Sequence, residues 1–164
     1  MITSKSRLAI ILSRLRKFAK PDAITEQYVT ESEIAAEVLW FAYMNNDIKD
    51  KVIADLGCGT GILGIGCLLL GAKKVYFVDY DIEALEVAEE NIAALGLKDA
   101  VIITADVQRF SRKVDTVVQN PPFGVRVLHA DREFLEKAFE IADTIYSFHK
   151  IESRIPRAAD GVMH

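Results

Sequence analysis

The sequence predicts an α/β fold: a doubly wound, mostly parallel sheet with helices on both faces. Short β-branched and aromatic runs alternate with longer segments of helical periodicity, the pattern of repeated strand–helix–strand units. The first run opens directly onto a glycine-rich turn and an apolar helix, the start expected of a nucleotide-type site. Asp55, Asp79, Asp106 and Asn120 each fall at or just past the end of a predicted strand. Right-handed crossovers bring such ends to one edge, where an open parallel sheet binds its ligand.

Taken in order, residues 1–20 hold Lys5, Arg7, Arg14, Arg16, Lys17 and Lys20 and no acid, in a chain of net charge −4. Leu8, Ile11, Leu12, Leu15 and Phe18 recur at helical spacing, so this segment predicts a basic amphipathic helix. It suits a phosphate-contacting arm for RNA, or a cap whose apolar stripe covers the sheet. Thr30-Glu31-Ser32-Glu33 reads as a capping box that opens a helix to about Asn45. Val52 to Leu56 is the first strand, Gly57-Cys58-Gly59-Thr60-Gly61 the loop, and Ile62 to Leu70 the next helix, stopped by Gly71. Val75 to Val78 is a second strand ending in Asp79. Asp81 caps a helix to Leu95, closed by Gly96, with Ile82, Leu85, Ala88, Ile92 and Leu95 on one face and Glu83, Glu86, Glu89 and Glu90 on the wet side. Val101 to Thr104, Val114 to Gln119 and Thr144 to Phe148 are strands three to five, with a helix at Asp131 to Ala142 before the last. Residues 151–164 carry Pro156 and Gly161 and no strand pattern. The reading is one domain over 1–164: the basic helix 1–20, a core 21–150 and a tail 151–164.

Composition narrows the class. Hydrophobic residues make up 51% of the chain, enough for a packed core, yet no apolar run approaches a membrane span. Two cysteines, Cys58 and Cys67, make neither a disulfide framework nor a metal set and fit a reducing, cytoplasmic setting. His129, His149 and His164 show no ligand spacing, so no metal is expected.

Two motifs carry chemistry. Alternate glycines in the loop let the backbone turn tightly and a ligand approach closely. The first turn of the following helix offers N–H groups and a positive dipole end to a carboxylate or phosphate. Asp79 at the second strand tip is placed for ribose hydroxyls. The spacing is G-x-G-x-G and not the G-x-G-x-x-G of dinucleotide sites. Asp55 before the loop would repel a pyrophosphate but attract the ammonium of a methionine moiety. Both details favour S-adenosyl-L-methionine over NAD, and no hydride-transfer set is visible. The second motif is Asn120-Pro121-Pro122-Phe123. Its prolines stiffen the turn and fix two acceptors, the Asn120 side-chain oxygen and the Pro121 carbonyl, beside an aromatic ring. That set suits a planar –NH2 group. The plainer reading is a rigid strand-to-loop turn with a core phenylalanine.

Asp55-Leu56-Gly57-Cys58-Gly59-Thr60-Gly61, Asp79, Ala105-Asp106-Val107 and Asn120-Pro121-Pro122-Phe123 resemble the successive motifs of class I methyltransferases acting on exocyclic or amide nitrogens. Glu26-Gln27-Tyr28-Val29-Thr30, Phe123-Gly124 and Tyr146-Ser147-Phe148-His149-Lys150 narrow the likeness to the methyltransferase-like protein 5 family, which methylates an adenosine of small-subunit ribosomal RNA. The resemblance implies a Rossmann-like fold of the class I methyltransferase type. It assigns Gln27 and Thr30 to a lid over the methionine end, and Gly57, Gly59, Thr60, Gly61 and Ile62 to the methionine loop. It assigns Asp79 to ribose, and Asp106 with the Val107 backbone to adenine. Thr30 also reads as a plain N-cap, and Asp106 as a loop-start carboxylate. Tyr28 belongs to substrate or to packing. His149 and Lys150 belong to RNA phosphate, the pocket or a solvated strand end. His129 lies in the loop Gly124 to Ala130, expected to order on substrate. A small zinc-binding activator subunit is a further implied partner. The basic start also mimics a transit peptide, which the resemblance discounts, since that family keeps such a helix.

Members of the class continue past the fifth strand with another helix and two strands, so this chain reads as truncated there. An uncovered fifth strand predicts poor solubility or an oligomer. Two other functions fit the motifs: methylation of a protein glutamine amide, and a non-catalytic domain that binds cofactor or a partner.

Overall fold

The computed structural model describes residues 2–17, 32–122 and 130–148. Five parallel strands form one sheet: β1 (Val52–Leu56), β2 (Lys74–Asp79), β3 (Ala100–Thr104), β4 (Thr116–Gln119) and β5 (Thr144–Ser147). Their order is β3-β2-β1-β4-β5, which confirms the doubly wound reading. The strand order reverses between β1 and β4, and that switch point opens the crevice where such sheets bind ligands. The register aligns the carboxyl ends: Leu56 lies opposite Val78 and Gln119, Asp79 opposite Thr104, and Gln119 opposite Ser147.

Side chains alternate across each strand, so two apolar layers form. On one face α1 (Lys5–Ser13), α2 (Ser32–Met44), α3 (Ile62–Leu69) and α4 (Ile82–Ala94) cover Ile53, Val75, Phe77 and Val118. On the other, α5 (Ala130–Ile141) and a short 3-10 turn (Val107–Arg109) cover Ala54, Leu56, Val78 and Val117. Two glycines let α3 lie close. A Cβ on Gly64 would stand 2.3 Å from the Phe77 ring, and one on Gly66 2.3 Å from a Leu39 methyl. The turn after α2 is tied to the sheet through Asp47. Its carbonyl accepts from Thr116 Oγ1 at 2.7 Å, and its carboxylate accepts from the Tyr146 hydroxyl.

Several boundaries differ from the sequence reading. The first helix ends at Ser13 instead of continuing towards residue 20. The Arg16 N–H goes to the side chain of Asn91 instead of to a carbonyl one turn back. Leu8 and Leu12 are buried and Leu15 half-buried; Phe18 lies outside the described residues. The fourth strand begins at Thr116, because the Val114 N–H is given to the carbonyl of Ile141 at the end of α5. Asp81 caps α4 as expected, accepting from Glu83 and Ala84 N–H. Ile82 and Leu95 are nevertheless exposed, and Asn91 joins Leu85, Ala88 and Ile92 on the covered face. The capping-box threonine, Thr30, lies outside the described residues.

Candidate active site

The carboxyl edge of the sheet carries those predicted residues that fall within the described part of the chain. Gly57 and Cys58 donate their N–H groups to the Val78 carbonyl at 2.8 and 3.0 Å, so the loop after β1 folds over β2. Gly57, Gly59 and Gly61 have φ of +67°, +57° and +94°. At Gly57 more than φ is at stake: a Cβ there would come within 2.6 Å of the Phe134 ring, which reaches up from α5. At Gly59 no atom of the described residues stands within 4 Å of that direction.

Two carboxylates shape this loop from below. Asp55 is 1% exposed, and its Oδ2 accepts the Gly64 N–H at 2.8 Å in the first turn of α3. Burial pushes its pKa up to about 7; the Gly64 hydrogen bond opposes the rise, and the Asp79 charge adds to it. Asp79 accepts the Gly59 N–H on Oδ2 at 2.8 Å and the Asp81 N–H on Oδ1 at 2.9 Å. Burial raises its pKa against those bonds. The Tyr80 N–H bonds to this carboxylate as well, so three backbone donors hold it at the strand tip. Burial also pushes the Cys58 and Cys67 thiols up, helped by the neighbouring carboxylates, so neither is a nucleophile at neutral pH.

Beyond β3, Asp106 is exposed and its Oδ1 accepts the Gln108 N–H at 2.9 Å, capping the 3-10 turn. The cap and an outward-facing carboxylate coexist there, while Val107 is buried in the second core. Asn120 is half-buried and Pro121 buried, one step past the Leu56–Gln119 pair and so beside the loop at Gly57. Thr60 is buried, and Gly61 donates to the Cys58 carbonyl at 2.9 Å. Ile62 opens α3, where first-turn N–H groups have no intrahelical acceptor. Gln27, Tyr28, Thr30, Phe123, His129, His149 and Lys150 lie outside the described residues.

Three participants were not singled out from sequence. Phe134 braces Gly57. Tyr80 is 63% exposed beside Asp79, giving that strand tip an open aromatic flank. Asn91 is 4% exposed and donates from Nδ2 to the Thr60 carbonyl at 3.1 Å. Its signal was available, since an amide on the buried stripe of a helix needs polar partners.

Among the described residues, a glycine loop of positive φ, a strand-tip carboxylate, an exposed acid beyond β3 and a helix N-terminus fit an adenosine carrying an amino-acid tail. Among the described residues no group of three or more His, Cys, Asp or Glu side chains is placed to hold a metal. No described helix is long and apolar enough to cross a membrane.

Comparison with known proteins agrees with this geometry. Residues 30–144 match the model of the methyltransferase small domain. The chain is 40% identical over 162 residues to an uncharacterized protein of Methanocaldococcus jannaschii, covering 92% of this chain and 73% of that one. It is 35% identical over 150 residues to the rRNA N(6)-adenosine-methyltransferase METTL5 of Danio rerio, covering 87% of this chain and 72% of the relative. A crystal structure of a candidate RNA methyltransferase from Pyrococcus horikoshii superposes with a TM-score of 0.83 at 50% identity, covering 90% of this chain and 73% of that one. Fold, site and relatives together place this chain in the methyltransferase small domain family of class I, S-adenosyl-L-methionine-dependent methyltransferases.

Proposed function

We propose that the chain methylates the exocyclic N6 amine of an adenosine in RNA, in the small-subunit ribosomal RNA, in the cytoplasm. The observation that carries this reading is the position of Asn120-Pro121, leaving β4 at the switch point beside the glycine loop of β1. The relative named as an rRNA N(6)-adenosine-methyltransferase supports the same substrate class.

When bound, S-adenosyl-L-methionine supplies an electrophilic methyl group on a sulfonium. The residues of the chain hold and orient. The loop Gly57 to Gly61 and the first turn of α3 at Ile62 hold the methionine carboxylate, and Asp55 attracts the ammonium. Asp79 accepts from the ribose hydroxyls. Asp106 and the Val107 backbone meet the adenine of the cofactor. Asn120 Oδ1 and the Pro121 carbonyl accept the two amine hydrogens of the substrate base. These two acceptors would favour a pyramidal amine whose lone pair is less delocalised into the ring. This is positioning and electrostatic preorganisation, worth several kcal/mol, and it requires no strong base until the proton leaves after transfer. Pro122 stiffens the clamp by withholding an N–H and fixing φ. Gln27, Thr30, Tyr28, Phe123, His149 and Lys150 complete the proposal as lid, stacking and RNA-side residues. A small zinc-binding activator subunit and association through the β5 edge belong to the same reading.

The test is transfer of labelled methyl groups to ribosomal RNA, with and without the activator, beside Asn120→Ala. Label in RNA as N6-methyladenosine, falling at least about a hundredfold in the variant, is expected. Label confined to release-factor protein would replace this reading with glutamine amide methylation. Cofactor binding without any transfer would leave a non-catalytic binding domain.

A further inference from the structure

Asn91 does something that neither the cofactor loop nor the helix requires by itself. Its Oδ1 accepts the Arg16 N–H at 2.8 Å, and its Nδ2 donates to the Arg16 carbonyl at 3.0 Å. One side chain thus engages both backbone groups of one residue, as a neighbouring strand would. The same Nδ2 donates to the Thr60 carbonyl at 3.1 Å. That peptide is held on its other side too, because the Gly61 N–H donates to the Cys58 carbonyl at 2.9 Å. One turn earlier on α4, Ala88 lies 3.3 Å from the Cβ position of Gly61, so the helix packs on the loop where Asn91 bonds to it. The neighbouring Glu90 pairs with the Arg16 guanidinium, but both side chains are more than half exposed, so that pair contributes little. The amide is 4% exposed, where an unmet donor or acceptor is costly.

We propose that Asn91 is a positioning residue that couples the basic N-terminal segment to the cofactor loop through one three-way amide clamp. The loop peptide Thr60–Gly61 and the backbone of Arg16 move together because they share a side chain. Coupling of this kind is reciprocal: a cofactor that stiffens the loop stiffens the exit of α1, and a contact that orders α1 improves the loop. The proposal rests on the cofactor assignment and not on the identity of the methyl acceptor.

The test therefore contains no RNA. Hydrogen exchange on the full wild-type chain, with and without S-adenosyl-L-methionine, reads the Arg16 amide directly. Slower exchange of that amide on cofactor addition is expected. Calorimetry on Asn91→Ala and Asn91→Asp, at a temperature where each variant is folded, should show cofactor affinity lowered about tenfold, the loss of one or two buried hydrogen bonds. The aspartate keeps an acceptor for Arg16 but has no donor for Thr60 when ionised. Glu90→Gln, which breaks only the exposed ion pair, should bind as the wild type does. An Arg16 amide indifferent to cofactor overturns the proposal without needing any variant to fold. So does an Asn91→Ala protein that is less stable yet binds cofactor undiminished. A wild-type chain that binds no S-adenosyl-L-methionine would overturn the cofactor assignment along with it, whereas failure of RNA methylation alone would touch neither.

Discussion

At Asp55 two demands meet on one carboxylate. Gly64 at the N-terminus of α3 wants an acceptor, and the apolar surroundings oppose a charge. With the pKa lifted from 3.8 to about 7, the folded chain holds a proton that the unfolded chain has already released between those values. The stabilisation from this group is complete below the unfolded pKa and is lost as pH rises through the folded one. Thermal melts across pH 5 to 8 should show the wild type losing about 2 kcal/mol that Asp55→Asn does not lose. Parallel curves for the two proteins would show that the carboxylate is ionised throughout. Asp79 shifts in the same direction, so the difference between the proteins, not the wild-type slope, is the measurement. Sequence placed Asp55 and Asp79 correctly at the strand ends. It could not show that both act on the loop from beneath, because burial and bond direction depend on helices packed from elsewhere in the chain.

At the scale of elements, α3 is held by what it lacks. Gly64 faces the edge of Phe77, a ring fully buried in the sheet; Gly66 faces the end of Leu39, a flexible side chain on α2. Alanine at either position gains about 1 kcal/mol of helix propensity. At Gly66 a turn of the Leu39 side chain about its terminal torsion relieves most of the clash, so Gly66→Ala should change stability by less than about 1 kcal/mol. At Gly64 the ring has nowhere to turn, and Gly64→Ala should cost about 2–3 kcal/mol. Urea denaturation of the two variants checks the ordering, and equal effects would show that the sheet adapts as readily as the helix. Strands and helices were legible here because β-branched runs, the Asp81 cap and the glycine stops act locally. The early end of α1 was not legible: past Ser13 the Arg16 N–H goes to Asn91, 75 residues away, a partner that no local pattern announces. The face of α4 was misread for the same reason, since hydrophobicity alone put Ile82 and Leu95 inside and left Asn91 out.

For the molecule as a whole, a doubly wound parallel sheet with its strand ends on one side could be read from alternation; the structure adds the strand order, which sets the predicted acids and Asn120 along one edge. At the far side of the sheet, β5 pairs with β4 and with no other described strand. Its Thr-Ile-Tyr-Ser sequence carries neither charge nor proline to deter pairing. Phe41, at 62% exposure, stands beside Tyr146, adding apolar surface near that edge. Sedimentation over a wide concentration range should therefore show association, and a single monomeric species throughout would refute it. The buried acid under α3 has a wider consequence. The helix it caps asks only for an oxygen, and a neutral one would serve. Near neutrality the chain thus tolerates a standing tension in its interior that its architecture alone does not call for. Relief should come from whatever cation the crevice admits, making occupancy and robustness rise together.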